Sequence, residues 1–385
     1  MSSDVAFAGS RGPNIRDDCW VELKPGAGAI RIKSRVLALY GASIRRLAEE
    51  VMARLGVTGV DVVIDDSGAL PFTLMARIET AVRRFCGAAL PEVLPEIHPA
   101  ACYAVSRHRR RRSRLYLPGN VPKFFINAGL YRPGAVILDL EDSVPEGEKD
   151  AARVLVRNAL RAVDFYGAEK MVRINSLPLG LEDARALAPH GAHTFVIPKV
   201  ESPDDVAAVD RVTRETGRQI HLVPLIESAR GALHAASIAQ ATPSVVALGL
   251  GLEDYLKDIG AQRTAERNES LWVAGLIVNA ARAAGIQPLA SVYSAVDDLD
   301  GLARYAREAR ASGFEGIGCI HPRQVRAANA AFTPTVDEIE QARRIITEFE
   351  KAEAAGAGTV AVDGRMVDRP IVERAYRTLE QAQNT

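Results

Sequence analysis

The segments Val-Pro-Leu-Ile-Glu-Ser-Ala-Arg-Gly at 223–231 and Ala-Leu-Gly-Leu-Gly-Leu-Glu-Asp at 247–254 decide how this chain folds. Each contains an apolar run typical of a buried strand and ends in an acidic residue. In a parallel barrel the carboxyl ends of neighbouring strands meet at one rim, so we expect these acids to lie close together. Carboxylate oxygens with room for water suit Mg²⁺, and the sequence therefore predicts a magnesium site with Glu227 and Asp254 as ligands. Glu253 is the alternative to Asp254, because only one of two successive strand residues points inward.

Strand-like and helix-like segments alternate from residue 115 onward. The apolar strand candidates are 115–118, 135–141, 171–175, 194–200, 220–227, 245–253, 288–293 and 316–321. Segments rich in Ala, Arg, Leu and Glu, such as 150–163 and 204–213, separate most of them. Eight such units predict an α/β fold, a (β/α)8 TIM barrel over 115–335. A doubly wound open sheet is the alternative, but no Gly-x-Gly-x-x-Gly follows the first strand.

The segment before the barrel predicts a second, smaller unit. Residues 1–18 are polar and are expected to be loose. Two half-buried strands then flank a turn at Pro25-Gly26, and another strand and two amphipathic helices follow. We therefore expect residues 1–95 to form a small N-terminal α+β domain.

Two further segments flank the barrel. Residues 96–114 form a basic linker that contains Arg107-His108-Arg109-Arg110-Arg111-Arg112-Ser113-Arg114. Such a run can bind nucleic acid or an anionic cofactor, but for most of it we expect a solvated face. Residues 336–385 are predicted to form a C-terminal helical lid, with a helix at 336–351 and a Gly/Ala hinge at 354–358.

Composition excludes several classes of function. The 385 residues are 48% hydrophobic and 25% charged, with zero formal net charge, which argues against nucleic-acid and membrane partners. The four cysteines show no Cys-x-x-Cys spacing, so we expect neither a zinc site nor a disulfide framework. A reducing compartment is expected instead. No apolar run reaches the ~20 residues of a membrane span, and the N-terminus lacks the pattern of a signal peptide. A cytoplasmic location is the expectation.

Polar residues cluster at the predicted strand ends, on the side where barrel enzymes keep their chemistry. Arg173 is predicted to hold a carboxylate or an oxyanion, because its guanidinium is forked and always charged. The alternative is an ion pair between Arg173 and Glu141. Glu141 and Asp142 are expected either to hold metal-bound water or to cap a helix.

Other polar residues are less specific. Lys199 and His321 are either structural residues of the rim or ligand contacts. His193 and His221 are interpreted as ordinary histidines.

The N-terminal segment resembles the acyl-carrier (γ) subunit of citrate lyase. Phe7-Ala8-Gly9, Tyr40-Gly41-Ala42-Ser43-Ile44-Arg45 and Ile64-Asp65-Asp66-Ser67-Gly68 are among the stretches that carry the resemblance. That family attaches a CoA-like group to a serine before its first strand. The matching position here is Arg16, which indicates that the attachment site is lost and that the unit is kept for packing or assembly. Attachment at the nearby Ser10 is the alternative.

The barrel resembles the citrate lyase β-subunit-like CoA-ester lyases of the HpcH/HpaI aldolase superfamily. Four of the motifs are Leu138-Asp139-Leu140-Glu141-Asp142-Ser143-Val144-Pro145, Val172-Arg173-Ile174-Asn175, Leu225-Ile226-Glu227-Ser228-Ala229-Arg230-Gly231 and Cys319-Ile320-His321-Pro322. The resemblance implies a homotrimer with Mg²⁺ on Glu227 and Asp254 that cleaves or forms malyl-, citramalyl- or citryl-CoA. The partners would be a CoA thioester and a small 2-oxo acid, with Arg112, Pro118 and Lys199 as the predicted cofactor contacts.

The C-terminal segment carries one more candidate. Met366-Val367-Asp368-Arg369-Pro370 resembles a motif with which full-length lyases of this family supply an acid to a neighbouring subunit. Asp368 is therefore predicted to be catalytic, together with Arg173 and Glu141, and the alternative is a solvated acid. Two other functions remain open: a thioester hydrolase that uses the same site, and a non-catalytic, carrier-type assembly subunit.

Overall fold

The computed structural model of the chain describes residues 5–87, 90–264 and 267–383. It contains a small N-terminal α+β region, a closed parallel barrel and a helical C-terminal region. The predicted fold class is thereby confirmed. Within these described ranges no helix has the length and apolarity to cross a membrane.

The N-terminal region is a four-stranded sheet packed against two helices. Its elements are β1 (Ala6–Gly9), β2 (Cys19–Pro25), β3 (Ile30–Ser34), α1 (Leu37–Leu55), β4 (Val60–Asp66) and α2 (Pro71–Cys86). The strand order is β1-β2-β4-β3, and β3 and β4 are the parallel pair. β4 therefore separates the two strands that were expected to flank the turn at Pro25-Gly26. The prediction of a loose N-terminus is wrong for β1, which pairs with β2.

Eight parallel strands form the barrel. They are β5 (Ser113–Pro118), β6 (Ala135–Asp139), β7 (Glu169–Arg173), β8 (Thr194–Ile197), β9 (His221–Ile226), β10 (Ala247–Leu250), β11 (Gln287–Val292) and β12 (Ile317–Cys319). Each neighbours the next in sequence, and the pairing of β12 with β5 closes the ring. Every one overlaps a predicted strand, although β5 and β7 each begin two residues earlier than expected.

Helices surround the barrel. They are α3 (Lys123–Ile126), α4 (Lys149–Ala162), α5 (Leu179–Leu187), α6 (Pro203–Glu215), α7 (Ala229–Leu233), α8 (Ala235–Ala239), α9 (Leu252–Asp258), α10 (Asn268–Ala283), α11 (Leu299–Ala311) and α12 (Pro322–Ala331). Short 3₁₀ turns lie at Pro99–Ala101, Ala128–Tyr131, Glu146–Glu148 and Ala188–His190. Apolar side chains such as Ile137, Met171 and Leu289 fill the barrel interior. The centre is thus packed, and polar side chains gather at the strand ends.

The C-terminal region has a small apolar core of its own. It comprises α13 (Val336–Ala354), the hairpin β13 (Val360–Val362) and β14 (Arg365–Val367), and α14 (Arg369–Gln383). Side chains such as Phe349 and Val372 pack between these elements. Arg110 donates a hydrogen bond to the carbonyl of Gln381 at 3.0 Å. This bond ties the end of α14 to the segment that precedes β5, at the amino-terminal end of the barrel.

The basic run before β5 is not the solvated linker that was expected. Arg111 and Glu169 are fully buried and share a hydrogen bond of 2.9 Å. Arg107 donates to the carbonyls of Pro243 and Val245. Arg111 therefore satisfies a buried carboxylate at the amino-terminal end of the barrel, and Arg107 ties the segment to the residues before β10.

Candidate functional site

A cavity of about 350 Å³ opens at the carboxyl ends of the barrel strands. Its walls come from the ends of seven strands or the loops that follow them. The residues that line it include Arg114, Tyr116, Pro118, Asp139, Arg173, Glu227, Gly251, Glu253 and Asp254. The topology of the barrel thus brings together residues that are far apart in the sequence.

Glu227 is a buried carboxylate on the cavity wall. It directly follows β9, is 5% exposed, and accepts a hydrogen bond of 3.0 Å from the backbone N–H of Lys199. Burial raises its pKa to about 7, with the neighbouring carboxylates of Glu141 and Asp254 adding to the effect. A Cβ atom at position 251 would come within 2.4 Å of the Glu227 side chain. Gly251 therefore leaves the space that this carboxylate occupies.

Asp254 and Glu253 lie in the first turn of α9. β10 already ends at Leu250, so the two acids differ by their positions on a helix and not by strand alternation. Asp254 is half-buried. Glu253 is mostly exposed and forms an ion pair with Arg263. The structure thus leaves Asp254 as the acid that acts electrostatically on Glu227.

Arg173 is the last residue of β7 and its side chain is largely buried. Its Nε and Nη2 atoms donate to the carboxylate of Asp139 at 2.6 and 2.7 Å, and its Nη1 atom lies 2.8 Å from Glu141. The guanidinium also lies over the ring of Tyr116, 5.4 Å from its centroid. Burial alone would raise the pKa of Asp139, but the bonds from Arg173 outweigh it and lower that pKa. The ion pair with Glu141 that the sequence left open is present.

Glu141 joins Arg173 to Lys199. The Nζ atom of Lys199 lies 2.5 Å from Oε1 of Glu141 and 3.4 Å from Asp142. Burial, followed by the proximity of Asp142, raises the pKa of Glu141. Burial lowers the pKa of Lys199, but the bond to Glu141 outweighs it and the pKa is raised. The next helical turn begins only at Glu146, so the alternative that these acids cap a helix is wrong.

β5 supplies three cavity residues at alternating positions, Arg114, Tyr116 and Pro118. Arg112 precedes the strand and donates to the hydroxyl of Thr333 at 2.6 Å, at the opposite end of the barrel. The prediction that Arg112 shares a site with Pro118 is therefore wrong in its geometry. Arg114, which the sequence reasoning missed, is the arginine of this strand that reaches the cavity. The two-residue period of a strand, counted back from Pro118, was the signal that could have found it.

Asp368 lies outside the cavity of its own chain. It stands between β14 and α14, and its carboxylate accepts a hydrogen bond of 3.4 Å from the N–H of Ile371. The C-terminal region packs at the amino-terminal end of the barrel, where Arg110 holds α14. Asp368 therefore meets a cavity of this kind only if that cavity belongs to another copy of the chain.

The remaining polar candidates have local partners. His321 caps α12 by accepting from the N–H of Arg323. His193 accepts from the N–H of Lys170, and burial lowers its pKa to about 4. Burial also lowers the pKa of His221. Arg16, at the position expected for the carrier serine, is exposed.

The charges around the cavity suit a divalent cation. Asp139, Glu141, Asp142, Glu227, Glu253 and Asp254 contribute six carboxylates, whereas Arg114, Arg173 and Lys199 contribute three cations. Arg263 pairs with Glu253. In the described part of the chain no group of three or more His, Cys, Asp or Glu side chains is arranged to enclose a metal. An ion held by two carboxylates would keep open positions for water and a substrate, as Mg²⁺ usually does in proteins.

Comparisons with known proteins agree with this geometry. Residues 112–322 match the family described as HpcH/HpaI aldolase/citrate lyase, and residues 8–85 match the malonate decarboxylase delta subunit (MdcD) family of acyl-carrier proteins. The chain is 35% identical over 287 residues to the citrate lyase subunit beta of Leuconostoc mesenteroides subsp. cremoris, covering 72% of this chain and 95% of that protein. It is 36% identical over 274 residues to a (3S)-malyl-CoA thioesterase of Cereibacter sphaeroides, covering 71% of this chain and 94% of that protein.

Solved structures lead to the same family. The CitE protein of Mycobacterium tuberculosis, in complex with magnesium, acetoacetate and coenzyme A, is similar with a TM-score of 0.62 and 32% identity. That match covers 72% of this chain and 100% of the other. The citrate lyase beta subunit of the same organism, with oxaloacetate and magnesium, is similar with a TM-score of 0.51 and 33% identity, over 59% of this chain and 99% of the other. By its sequence, its barrel and its family match, this chain belongs to the HpcH/HpaI aldolase/citrate lyase family and is a lyase.

Proposed function

We propose that the chain is a Mg²⁺-dependent carbon–carbon lyase that acts on a 3-hydroxyacyl-CoA thioester such as malyl-CoA, citramalyl-CoA or citryl-CoA. It would cleave a carbon–carbon bond of the acyl group to give a 2-oxo acid and an acyl-CoA, or join these products. The buried Glu227 beside Asp254 and Arg173 is the observation that carries the proposal. Relatives that bind magnesium with coenzyme A, acetoacetate or oxaloacetate support it.

Glu227 and Asp254 are the residues that would hold the cation. A carboxylate whose pKa is raised by burial, and further by like-charged neighbours, gains a favourable partner when a cation binds. Mg²⁺ at this position would supply Lewis-acid polarisation of the oxygen at the breaking bond.

The protein's own residues would orient the substrate and move its proton. Cleavage breaks the bond between the second and third carbons of the acyl group. The hydroxyl on the third carbon gives up its proton and becomes the oxo group of the 2-oxo acid, and the thioester is left as an enolate whose carbon must take up a proton. Arg173, held in one plane by Asp139, would stabilise negative charge as a preorganised donor. Pro118 and Arg114 line the cavity and Lys199 contacts Glu141 beside it, so these residues would contact the thioester. Asp368 of another copy would exchange the proton. We therefore propose a homo-oligomer, either a trimer or a multiple of a trimer.

Cleavage of purified CoA esters with Mg²⁺, and with EDTA in its place, tests the proposal. We expect formation of a 2-oxo acid from at least one of the three esters, and its loss with EDTA. Equal rates under both conditions would exclude a magnesium-dependent lyase.

A second function, thioester hydrolysis at the same site, is favoured by the similarity to the (3S)-malyl-CoA thioesterase. Product analysis separates the two functions. A lyase releases a 2-oxo acid and an acyl-CoA, whereas a hydrolase releases free CoA and the intact hydroxy acid.

The unpaired cysteines Cys19, Cys86, Cys102 and Cys319 fit a protein of the reducing cytoplasm. We retain 1–95, 115–335 and 336–385 as the proposed domain limits. The third candidate is a non-catalytic or carrier-type assembly subunit, which would carry a modified serine in the first of these domains or co-purify with a stoichiometric partner. Intact mass would reveal a phosphopantetheine-type adduct on Ser10, and we expect none.

A further inference from the structure

Helix α2 of the N-terminal region presents two arginines to the rim of the barrel. Arg77 and Arg84 are seven residues apart, which places them two turns apart on one face of the helix. Each contacts a different loop, and each loop follows, in the sequence, a strand that borders the cavity. We call residues 119–122 the first rim loop and residues 140–148 the second rim loop.

Arg77 holds the first rim loop. It is fully buried and donates to both carboxylate oxygens of Asp18, at 2.9 and 3.0 Å, and to the carbonyl of Asn120 at 2.8 Å. In the same loop, the N–H of Gly119 donates to the carbonyl of Asp139 at 2.7 Å. Asp139 is also the residue whose carboxylate fixes Arg173. Hydrogen bonds through the first rim loop and Asp139 thus connect the N-terminal region to Arg173.

Arg84 holds the second rim loop. It donates to the carbonyl of Gly147 at 2.8 Å and to Asp150 at 2.6 and 2.8 Å. Lys149, between these two partners, reaches back with its Nζ atom to the carbonyls of Leu140 and Glu141, at 2.8 and 2.5 Å. Arg84 thus fixes the segment whose lysine holds the backbone of Glu141.

The helix that carries both arginines is itself fixed to the barrel. Glu79 of α2 accepts two hydrogen bonds from Arg157 of α4, at 3.0 and 2.6 Å, and both side chains are almost fully buried. Phe72 and Ala76 of α2 belong to the same apolar core as the barrel helices. A buried charge pair beside such apolar contacts does not separate without a large free-energy cost.

We propose that the N-terminal region positions the active site: Arg77 and Arg84 hold the two rim loops and so orient Asp139, Arg173 and Glu141. In this proposal the carrier-like unit positions residues of the lyase site and does not carry an acyl group. The kinetic part of its test rests on the proposed function, but the structural part does not.

The test uses the full chain with Asp18→Asn, Arg84→Ala and the matched control Arg31→Ala. Arg31 pairs with Asp61 inside the N-terminal region and does not contact the barrel. Hydrogen–deuterium exchange is measured on peptides that cover the rim loops. We expect exchange there to rise about tenfold in both test variants, with no change in the control, because lost loop contacts lower the local opening free energy.

Steady-state kinetics on the cleaved CoA ester provide the second measurement. We expect kcat to fall about tenfold with KM nearly unchanged, since misplacing catalytic groups by a fraction of an ångström has effects of this size. Arg84→Lys, which keeps the charge, should recover part of the loss. Rim-loop exchange in Asp18→Asn and Arg84→Ala equal to that of Arg31→Ala would overturn the inference. A wild-type protein without lyase activity would instead overturn the proposed function and leave the exchange measurement decisive.

Discussion

The Nε and Nη2 atoms of Arg173 both donate to the carboxylate of Asp139, at 2.6 and 2.7 Å. A lysine would keep the charge but could not form this fork. We expect Arg173→Lys to lower kcat about 100-fold, the usual cost of losing one preorganised donor. Arg310→Lys is the matched control, because Arg310 pairs with Glu338 away from the cavity. Equal rates in the two variants would show that the fork has no catalytic role.

Metal binding distinguishes Glu227 and Asp254 from their neighbour Glu253. We expect Glu227→Gln and Asp254→Asn to abolish Mg²⁺ binding in isothermal titration calorimetry, since each removes one of two charged ligands. Glu253→Gln should bind as the wild type does, because that carboxylate already pairs with Arg263. If Glu253→Gln abolished Mg²⁺ binding and Asp254→Asn did not, Glu253 would be the second ligand.

The raised pKa of Glu227, about 7, makes Mg²⁺ binding depend on pH. The cation competes with a proton, so affinity should rise about tenfold per pH unit below 7 and level off above it. Without metal, the folding stability that Glu227 contributes changes with pH in the opposite direction to the metal affinity. The folded pKa exceeds that of the unfolded chain, so this stabilising contribution is full at acid pH and is lost as pH rises through 7. Titration calorimetry between pH 5.5 and 8.5 tests the first statement (a range chosen to bracket the pKa), and a flat profile would contradict it.

Asp368 should act in a site formed by two chains. We expect Asp368→Asn to lower kcat about 100-fold, a typical contribution of a general acid or base. Asp363→Asn should not, because Asp363 is an exposed partner of Arg344. Co-expression of Asp368→Asn with Arg173→Lys should restore cleavage, since mixed oligomers contain sites with both native residues. Absence of recovery in isolated mixed oligomers would place Asp368 outside the chemistry.

The barrel could be predicted from the sequence because each strand is a local apolar run. The order of the N-terminal strands could not, because β4 enters between β2 and β3 from about thirty residues away. Pairing of that kind depends on contacts that no local pattern contains. The same reason explains Ala6–Gly9, which is a strand only because β2 lies beside it.

The candidate site also contains both residues that could be predicted from the sequence and residues that could not. Glu227 was predicted from its place at the end of a strand, and the structure puts it on the cavity wall. Arg112 was misplaced because a run of arginines does not show which member has a buried partner. Arg111 meets Glu169, and Arg114 meets the carbonyl of Ala290, both far along the chain. A run of charged residues shows only which residue types are present, whereas the burial of each arginine depends on these distant partners.

The buried pair of Glu79 and Arg157 has a consequence for how substrate arrives. A carrier unit locked in place cannot shuttle a bound acyl group between active centres. Each thioester must therefore reach the pocket by free diffusion, and flux at low substrate will follow the dissolved ester concentration without the advantage of a tethered donor.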